Sequence, residues 1–210
     1  NNIVCFIDFA IPGDVVDILI TKKKSNYREG KVIQYHTRSE KRTEPVCTHF
    51  GVCGGCKWQN MNYETQLFFK QKYVVDALTR IGNIPLSIPL IKGGKGDFGE
   101  GLGVRRGEVF AIIPSKNIFH YRNKLEFTFS NKKWLTDMNL KPETWNLEQN
   151  GLGFHIPKLF DKVLDLDECH LQEEPSNSIR LEVKKFALDN NLSFFDIRKQ
   201  NGFLRNLIIR

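Results

Sequence analysis

The stretch CTHFGVCGGCKWQ, residues 47–59, gathers three of the five cysteines and decides how this chain must fold. Five residues separate Cys47 from Cys53, and two separate Cys53 from Cys56. The two glycines between the last two cysteines allow positive φ angles, so neighbouring thiolates can converge on one centre. A fourth cysteine, Cys169, lies in the stretch DECHLQ. Four thiolates suit either a tetrahedral zinc ion or an iron–sulfur cluster.

The spacing of these cysteines favours the cluster over zinc. Zinc usually takes two CxxC pairs, whereas a compact triplet with one distant cysteine is more typical of a four-iron cluster. Zinc, or unliganded cysteines in a core, remain the alternatives. Four ligands close a cluster, so we expect a structural or electronic role for it. Cys5 lies between Val4 and Phe6 in a strand-like run and is predicted to be a buried core residue.

Length and composition are those of an ordinary soluble protein. The chain has 210 residues, 40% hydrophobic and 26% charged, which fits one large domain or two small ones. No run of about 18 apolar residues is present, so no membrane span is predicted. No signal peptide opens the chain, and we expect a cytoplasmic, reducing location. The net charge of +7 favours a polyanionic partner without requiring one.

The first part of the chain reads as three short strands, at 3–9, 15–20 and 31–36, separated by turn-forming residues. They predict a small OB-like β-barrel over residues 1–43 that lacks its first strand. A long helix is predicted at 62–81, with Asn62 as its N-cap and Gly82 as a left-handed residue just beyond its end.

The remainder alternates strands with one more helix. A Gly-rich insertion at 92–113 precedes a strand at 123–130, and Glu108–Ile113 is a candidate strand inside it. The predicted fold class is α+β, mainly β, with an antiparallel sheet domain over 44–210 that carries two helices and the cysteine-bound cluster. Its other predicted elements are a hairpin of strands 151–156 and 161–166, a helix at 177–190 with Ile179, Val183, Phe186 and Ala187 on one face, and closing strands 194–198 and 202–209 joined by a turn at Asn201-Gly202.

Several of these stretches resemble the RNA (uracil-5-)-methyltransferases. The segment IPGDVVDILITKKKSNYREGKV, residues 11–32, resembles their TRAM domain, a small RNA-binding β-barrel. The other motifs that carry the resemblance are CGGCKWQ at 53–59, NYETQLFFKQKYVVDALTRIG at 62–82, YRNKLEF at 121–127, FHIPKLFDKVLDLDECHLQ at 154–172 and GFLRNLIIR at 202–210.

The resemblance implies a cofactor and an activity. The cysteines at the family's motif positions, Cys47, Cys53, Cys56 and Cys169, would hold a 4Fe-4S cluster. The nearest branch methylates 23S ribosomal RNA, using S-adenosylmethionine to methylate C5 of a uridine. The family's cofactor loop and nucleophilic cysteine have no counterpart in these 210 residues. We therefore expect the chain to supply RNA docking and the cluster, to need the full-length enzyme for S-adenosylmethionine, and to be inactive alone.

Two groups of residues are candidates for RNA contacts. The first is one barrel turn that carries Lys22, Lys23, Lys24, Tyr27 and Arg28. Cations neutralise phosphates and an aromatic ring can stack on an unpaired base, although such a loop can also be merely solvated.

The second group is Arg122 and Lys124, which share one face of a strand. The alternative for this pair is a surface ion pair with Glu126. No protein partner and no membrane contact are implied. The alternative function is a non-enzymatic, zinc-dependent RNA-binding module. A radical methylthiolation enzyme is disfavoured because it needs three residues, not five, between its first two cysteines.

Overall fold

The computed structural model describes residues 3–84, 86–87, 107–134 and 150–210, which separate into two units. The first unit takes its residues from 1–60 and 117–210, and the second takes its residues from 61–116. All four predicted cluster ligands belong to the first unit. The predicted domain boundary after residue 43 falls inside that unit and stays a prediction.

Three strands near the start of the chain form an open sheet. They are β1 (Val4–Asp8), β2 (Val15–Lys23) and β3 (Tyr27–Thr37), in the order β1-β3-β2. β2 and β3 are an antiparallel hairpin, whereas β1 runs parallel to β3. The predicted strands are confirmed, but no closed barrel is seen among the described residues. Three strands are too few to curl a sheet back onto its first edge.

A buried ion pair fastens this sheet to the chain that follows it. The Asp14 carboxylate accepts hydrogen bonds from Arg42 Nε at 2.8 Å and from Arg42 Nη2 at 2.6 Å. It also accepts the backbone N–H groups of Ile11 and Ser39. The hydrogen bonds from Arg42 are the main reason that the pKa of Asp14 falls from 3.8 to about 2. The Asp14 side chain is 1% exposed, so this pair is shielded from solvent.

The rest of the first unit is an antiparallel sheet with one helix. Its strands are β6 (Leu125–Ser130), β7 (Gly151–Ile156), β8 (Leu159–Asp165) and β9 (Asn206–Ile209), in the order β8-β7-β6-β9. The predicted hairpin around Pro157 is confirmed as β7 and β8. The helix is α2 (Ser176–Asp189).

The last predicted hairpin is shorter than expected. Residues 194–198 make only isolated bridges, Phe194 to Leu204 and Asp196 to Asn201. The Asp196 carboxylate accepts the backbone N–H groups of Arg198 and Lys199, which starts a turn at that point. The turn therefore lies before Asn201, and the predicted turn at Asn201-Gly202 is wrong.

The core lies between the four-stranded sheet and α2. Gly153 on β7 has no room for a side chain, because a Cβ there would lie 2.0 Å from the carbonyl oxygen of Leu164. The apolar side chains of this core are Leu125, Phe127, Phe129, Leu152, Ile156, Leu164, Leu166, Leu171, Ala187, Phe194 and Ile209.

The buried face of α2 differs from the predicted one. Ala187 is buried and Val183 packs against the core, but Ile179 and Phe186 are exposed. The side chain that turns inward instead is Arg180, which is fully buried. A cation was not expected on an inward face because an apolar face is the usual signature of helix packing.

The second unit is built on α1 (Tyr63–Arg80). The predicted N-cap is confirmed, since Asn62 Oδ1 accepts the backbone N–H of Thr65 at 2.9 Å. Beyond the helix, the left-handed residue is Asn83, with φ of 48°, and not Gly82 as predicted. Asparagine tolerates this conformation better than most residues with a side chain.

The Gly-rich insertion at 92–113 lies largely outside the described residues. Its described part begins with β5 (Gly107–Glu108), which pairs in parallel with β4 (Leu86–Ser87). The candidate strand at Glu108–Ile113 is thus limited to its first residue. The Gln71 side chain of α1 then binds the Phe110 carbonyl and the Ile112 N–H. Neither described helix is long and apolar enough to cross a membrane.

Replacing Asp14 by Asn is expected to lower the free energy of unfolding by about 2 kcal/mol at pH 7, because a shift from 3.8 to about 2 corresponds to roughly that energy. A lowered carboxyl pKa stabilises the fold above about pH 4, and the contribution is lost as the pH falls through about 2. The variant should therefore lose less stability than the unaltered chain over that window. Urea titrations at several pH values measure both effects.

Asp17→Asn is the matched control, because the Asp17 side chain is 55% exposed and contacts only His36 among the ion pairs of the described residues. A surface pair of this kind contributes about 0–1 kcal/mol. Equal losses in the two variants would show that the Asp14–Arg42 pair does not fasten the sheet.

Candidate metal centre and nucleic-acid surface

The four predicted ligands meet in one pocket of the first unit. Cys47, Cys53, Cys56 and Cys169 all line it, and Phe50, Gln59, Phe154, Leu166, Glu168 and His170 are among the other residues of its wall. None of the four cysteines is in a disulfide. The structure thus brings Cys169 together with three cysteines of which the nearest in sequence, Cys56, lies 112 intervening residues away. We call this the cysteine pocket.

Backbone hydrogen bonds shape the stretch that carries the first three cysteines. Phe50 N–H donates to the Cys47 carbonyl at 3.1 Å, and Cys53 N–H donates to the His49 carbonyl at 2.9 Å. The Gln59 side chain accepts the backbone N–H of Cys47 at 3.1 Å, which ties the end of the stretch to its beginning. Residues 47–59 therefore form a loop whose cysteines stay close together.

Close packing of this loop on β7 explains Gly54. A Cβ at Gly54 would lie 2.6 Å from the carbonyl oxygen of His155, which no side chain tolerates. A Cβ at Gly55 would lie 3.4 Å from Cys53 Sγ, which is an ordinary van der Waals contact. Neither Gly54 nor Gly55 has a positive φ angle, so the backbone freedom expected from the sequence is not used at these two positions.

The backbone N–H and the carbonyl of Cys169 are both hydrogen-bonded to one side chain. The Asn177 Oδ1 accepts the Cys169 N–H at 2.8 Å, and Asn177 Nδ2 donates to the Cys169 carbonyl at 3.3 Å. The neighbouring Asp167 N–H donates to His49 Nε2 at 3.3 Å, which joins the two cysteine-bearing segments. Asn177 and Gln59 had not been singled out in the sequence, where a buried amide near a cysteine carries no signal.

Burial raises the pKa of three of these thiols. The shift is largest for Cys53, whose pKa rises from 9.0 to about 11, and Cys47 and Cys169 shift in the same direction. Reactive cysteines have lowered pKa values, so these thiols are unsuited to act as nucleophiles. They lose their protons readily only when a metal replaces them, and binding of a metal would release protons.

The pocket geometry bears on the kind of group it would hold. Among the described residues, no three His, Cys, Asp or Glu side chains are grouped so that they could hold one metal ion. A tetrahedral zinc ion needs its sulfur ligands about 2.3 Å from the metal, and hence close to one another. A cluster of several irons spaces its thiolates more widely because each thiolate binds a different iron. The donor set is four thiols around one pocket, which is a set that either a zinc ion or an iron–sulfur cluster uses.

Cys5 is exposed, so the predicted burial of its side chain is wrong. It lies in β1, an edge strand of the N-terminal sheet. Val4 and Phe6 beside it are exposed as well. An apolar run in a strand predicts burial only when another layer covers that face, and no such layer is present among the described residues.

The five residues of the predicted RNA-binding turn lie on the β2–β3 hairpin. Lys22 is ion-paired with Glu29 at 2.8 Å. Lys23 and Arg28 face each other across the two strands. The Arg28 guanidinium bonds to the carbonyls of Lys24 and Tyr27. Lys23 and Arg28 make this end of the hairpin electropositive. Like charges directly opposite each other on a sheet are unfavourable unless an anion lies between them.

Tyr27 is half-buried on this hairpin. Its ring packs edge-on against Phe6, with ring centroids 5.7 Å apart. The Lys22 ammonium lies 5.8 Å from the centre of the Tyr27 ring. The aromatic ring is therefore fixed in place beside the cationic groups, which is the arrangement that stacking on a base requires.

Arg122 and Lys124 lie on an exposed segment just before β6. The backbone N–H of Arg122 donates to the Leu171 carbonyl at 2.8 Å, two residues beyond Cys169. The guanidinium lies 5.8 Å from the centre of the Tyr121 ring. The predicted alternative, an ion pair with Glu126, is not formed, because Glu126 bonds to Asn206 instead. Arg122 is thus placed on a segment that runs beside the cysteine pocket.

Comparison with known proteins finds one match at the start of the chain and others along its whole length. Residues 1–33 match the TRAM domain. Over its full length, the chain is 44% identical to an uncharacterized RNA methyltransferase of Bacteroides thetaiotaomicron and 41% identical to one of Porphyromonas gingivalis. In both cases the chain spans 42% of the length of the curated relative.

A solved structure shares the fold. The crystal structure of Pyrococcus abyssi tRNA (uracil-54, C5)-methyltransferase in complex with S-adenosyl-L-homocysteine superposes with a TM-score of 0.55 and 23% identity. The match covers 97% of this chain and 37% of that protein. At this identity the likeness concerns the fold, and it agrees with the α+β class predicted from the sequence.

Thiol labelling is expected to separate Cys5 from the cysteine pocket. In metal-free folded protein at pH 7, Cys5 should react with iodoacetamide much faster than Cys53, because Cys5 is exposed. A pKa near 11 instead of 9.0 leaves Cys53 with about 100-fold less thiolate. Mass spectrometry of the labelled peptides measures each rate. Chain unfolded in guanidinium is the control, in which the rates should converge. Faster labelling of Cys53 than of Cys5 in the folded chain would contradict this picture of the pocket.

Proposed function

We propose that this chain docks RNA and carries a 4Fe-4S cluster within an S-adenosylmethionine-dependent 23S ribosomal RNA (uracil-5-)-methyltransferase. The observation that carries the proposal is the meeting of the four cysteines in one pocket, in a chain that is similar along its whole length to RNA methyltransferases. The uracil-C5 activity named for the Pyrococcus abyssi protein, whose fold this chain shares, supports the choice of reaction.

Cys47, Cys53, Cys56 and Cys169 would hold the cluster. Thiolates are the ligands that iron–sulfur clusters prefer, and the pocket supplies four of them. The cluster would supply a closed, fully ligated centre that joins distant parts of the chain. The protein residues do the remainder: Gln59 fixes the loop at Cys47, and Asn177 fixes Cys169.

The RNA surface would combine the β2–β3 hairpin with the segment before β6. On the hairpin, Lys23 and Lys24 would neutralise phosphates while Tyr27 stacks on an unpaired base. Arg122 and Lys124 would extend the surface toward the cysteine pocket. Phosphate contacts position RNA without reading its bases, so these cations give affinity and not the choice of uridine.

The metal content tests the cluster directly. Anaerobically purified chain is expected to hold about four irons and four sulfides and to absorb light at about 400 nm. Cys169→Ser should lose most of the iron, because one thiolate ligand is removed. Metal analysis and sulfide determination give the result. Cys5→Ser is the matched control and should keep its iron, because Cys5 is exposed and does not line the pocket. Zinc in place of iron, or full iron in Cys169→Ser, would contradict the proposal.

Salt dependence tests the hairpin. Replacing Lys23 and Lys24 together by Ala should weaken binding to many single-stranded RNAs alike and flatten the slope of log K against log salt by about 1.4, at about 0.7 per phosphate. Lys22 is left unchanged because it is already ion-paired with Glu29. Filter binding to a 23S RNA fragment and to a transfer RNA, each at several salt concentrations, measures the slopes.

Two further variants separate charge from stacking. Tyr27→Ala should lower affinity by about 1–3 kcal/mol without changing the salt slope. Lys70→Ala with Lys72→Ala removes the same charge from α1 and should leave binding near its original value. Unchanged affinity and slope in the hairpin variant would place the RNA surface elsewhere. Tighter binding of transfer RNA than of the ribosomal fragment would replace the proposed substrate while keeping the RNA surface.

A further inference from the structure

Arg180 is the largest of the fully buried side chains among the described residues, with 0% of its surface exposed. No carboxylate among the described residues lies within 4.0 Å of its guanidinium, although the charges of Asp165, Asp167 and Glu174 act on it from further away. Its Nε has no hydrogen-bond partner in that part of the chain. Buried cations are ordinarily paired with an anion because an isolated charge in a core is costly. The absence of a carboxylate partner therefore needs an explanation.

The remaining groups of Arg180 hold the segment that leads to Cys169. Nη1 donates to the Leu166 carbonyl, and Nη2 donates to the Asp167 carbonyl at 3.1 Å. Nη2 also donates to Asn177 Oδ1 at 3.1 Å, and the same oxygen accepts the Cys169 N–H. Leu166 and Cys169 both line the cysteine pocket. The guanidinium thus holds the backbone of the segment that forms this part of the pocket wall.

The cation also contacts an aromatic ring that packs against the wall of the pocket. Burial lowers the pKa of Arg180, and Cys169 is the first of the groups that oppose this shift, before the carboxylates of Asp165, Asp167 and Glu174. The guanidinium lies over the Phe127 ring, at 5.4 Å from its centre. Phe127 in turn packs against Phe154, which lines the pocket.

We infer that Arg180 is a positioning residue and the buried counter-charge for an anionic, thiolate-bound group in the cysteine pocket. Four thiolates carry more negative charge than the core of a four-iron cluster carries positive charge, so the bound centre is a net anion. Arg180 would supply the missing charge balance and hold Cys169 in place. The inference rests on the proposed function, because it needs a bound cluster.

The reduction potential of the cluster tests the counter-charge. Adding an electron makes an anionic centre more negative, and a nearby cation stabilises the reduced form. Arg180→Met, which keeps a long side chain without its charge, should lower the equilibrium constant for one-electron reduction at least tenfold, which is about 59 mV toward negative potential. Arg180→Lys keeps the charge and should retain most of the original potential. Spectroscopic titration with dithionite of anaerobic protein measures both.

The rate of iron loss to a chelator tests the positioning role. Arg180→Lys lacks the planar fork that binds two carbonyls and should release iron several-fold faster than the unaltered chain. Asn177→Ser should do the same, because it loses both hydrogen bonds to Cys169. Asn190→Ser is its matched control at the end of the same helix. Arg198→Met is the control for Arg180→Met, because Arg198 pairs with Asp161 and does not line the pocket.

The outcomes separate this inference from the proposed function. Iron-free unaltered protein would overturn the proposed function, and this inference with it. Four irons in the unaltered protein, with original potential and chelation rate in Arg180→Met, would overturn the role of Arg180 alone. If Arg180→Met does not fold, Arg180→Lys still decides the positioning role, and iron loss from Arg180→Lys at the rate of the unaltered chain would overturn it.

Discussion

The first unit depends on bringing Cys169 against the loop at residues 47–59. The chain between Cys56 and Cys169 is 112 residues long, so closing it costs considerable entropy. Hydrogen bonds from Asn177 to both peptide groups of Cys169 meet part of this cost. A bound group that cross-linked the four thiols would raise the free energy of unfolding by about 4–5 kcal/mol, because a cross-link lowers the entropy of the unfolded chain. The hydrogen bonds around Cys169 and the rest of the fold therefore stabilise each other.

Two buried carboxylates of the first unit are paired with cations. The carboxylate of Asp165 is buried and accepts bonds from Lys133 and Lys184, and Asp14 is paired with Arg42. These ion pairs are complete within the chain. Arg180 differs because its bonds go to backbone carbonyls and to an amide, none of which carries a full negative charge. Among these buried charges of the described residues, Arg180 is therefore the one that no carboxylate contacts directly, and it lies behind the segment that leads to Cys169.

Local sequence features predicted local structure well. The N-cap at Asn62, the β7–β8 hairpin and the strand pattern near the start of the chain depend on neighbouring residues only, and the structure confirms them. The family motifs around Cys47, Cys53, Cys56 and Cys169 also predicted that the four cysteines come together, and all four line one pocket. What failed was burial: Cys5 and the outer face of α2 look apolar in sequence but are exposed. Burial depends on which element covers a face, and a single sequence does not carry that information. The reverse holds for Arg180: a charged residue is typical of an exposed position, but its side chain is fully buried.

The proposed RNA surface is supported by stability considerations as well as by charge. Lys23 and Arg28 lie opposite each other on the β2–β3 hairpin, where like charges destabilise the fold. A chain selected for stability alone would place an acidic residue at one of the two positions, as it does at the neighbouring Lys22–Glu29 pair. Residues that oppose folding and yet lie beside a fixed aromatic ring are better explained by what they bind. A phosphate between Lys23 and Arg28 would remove the repulsion, so binding of RNA and stability of the hairpin would rise together.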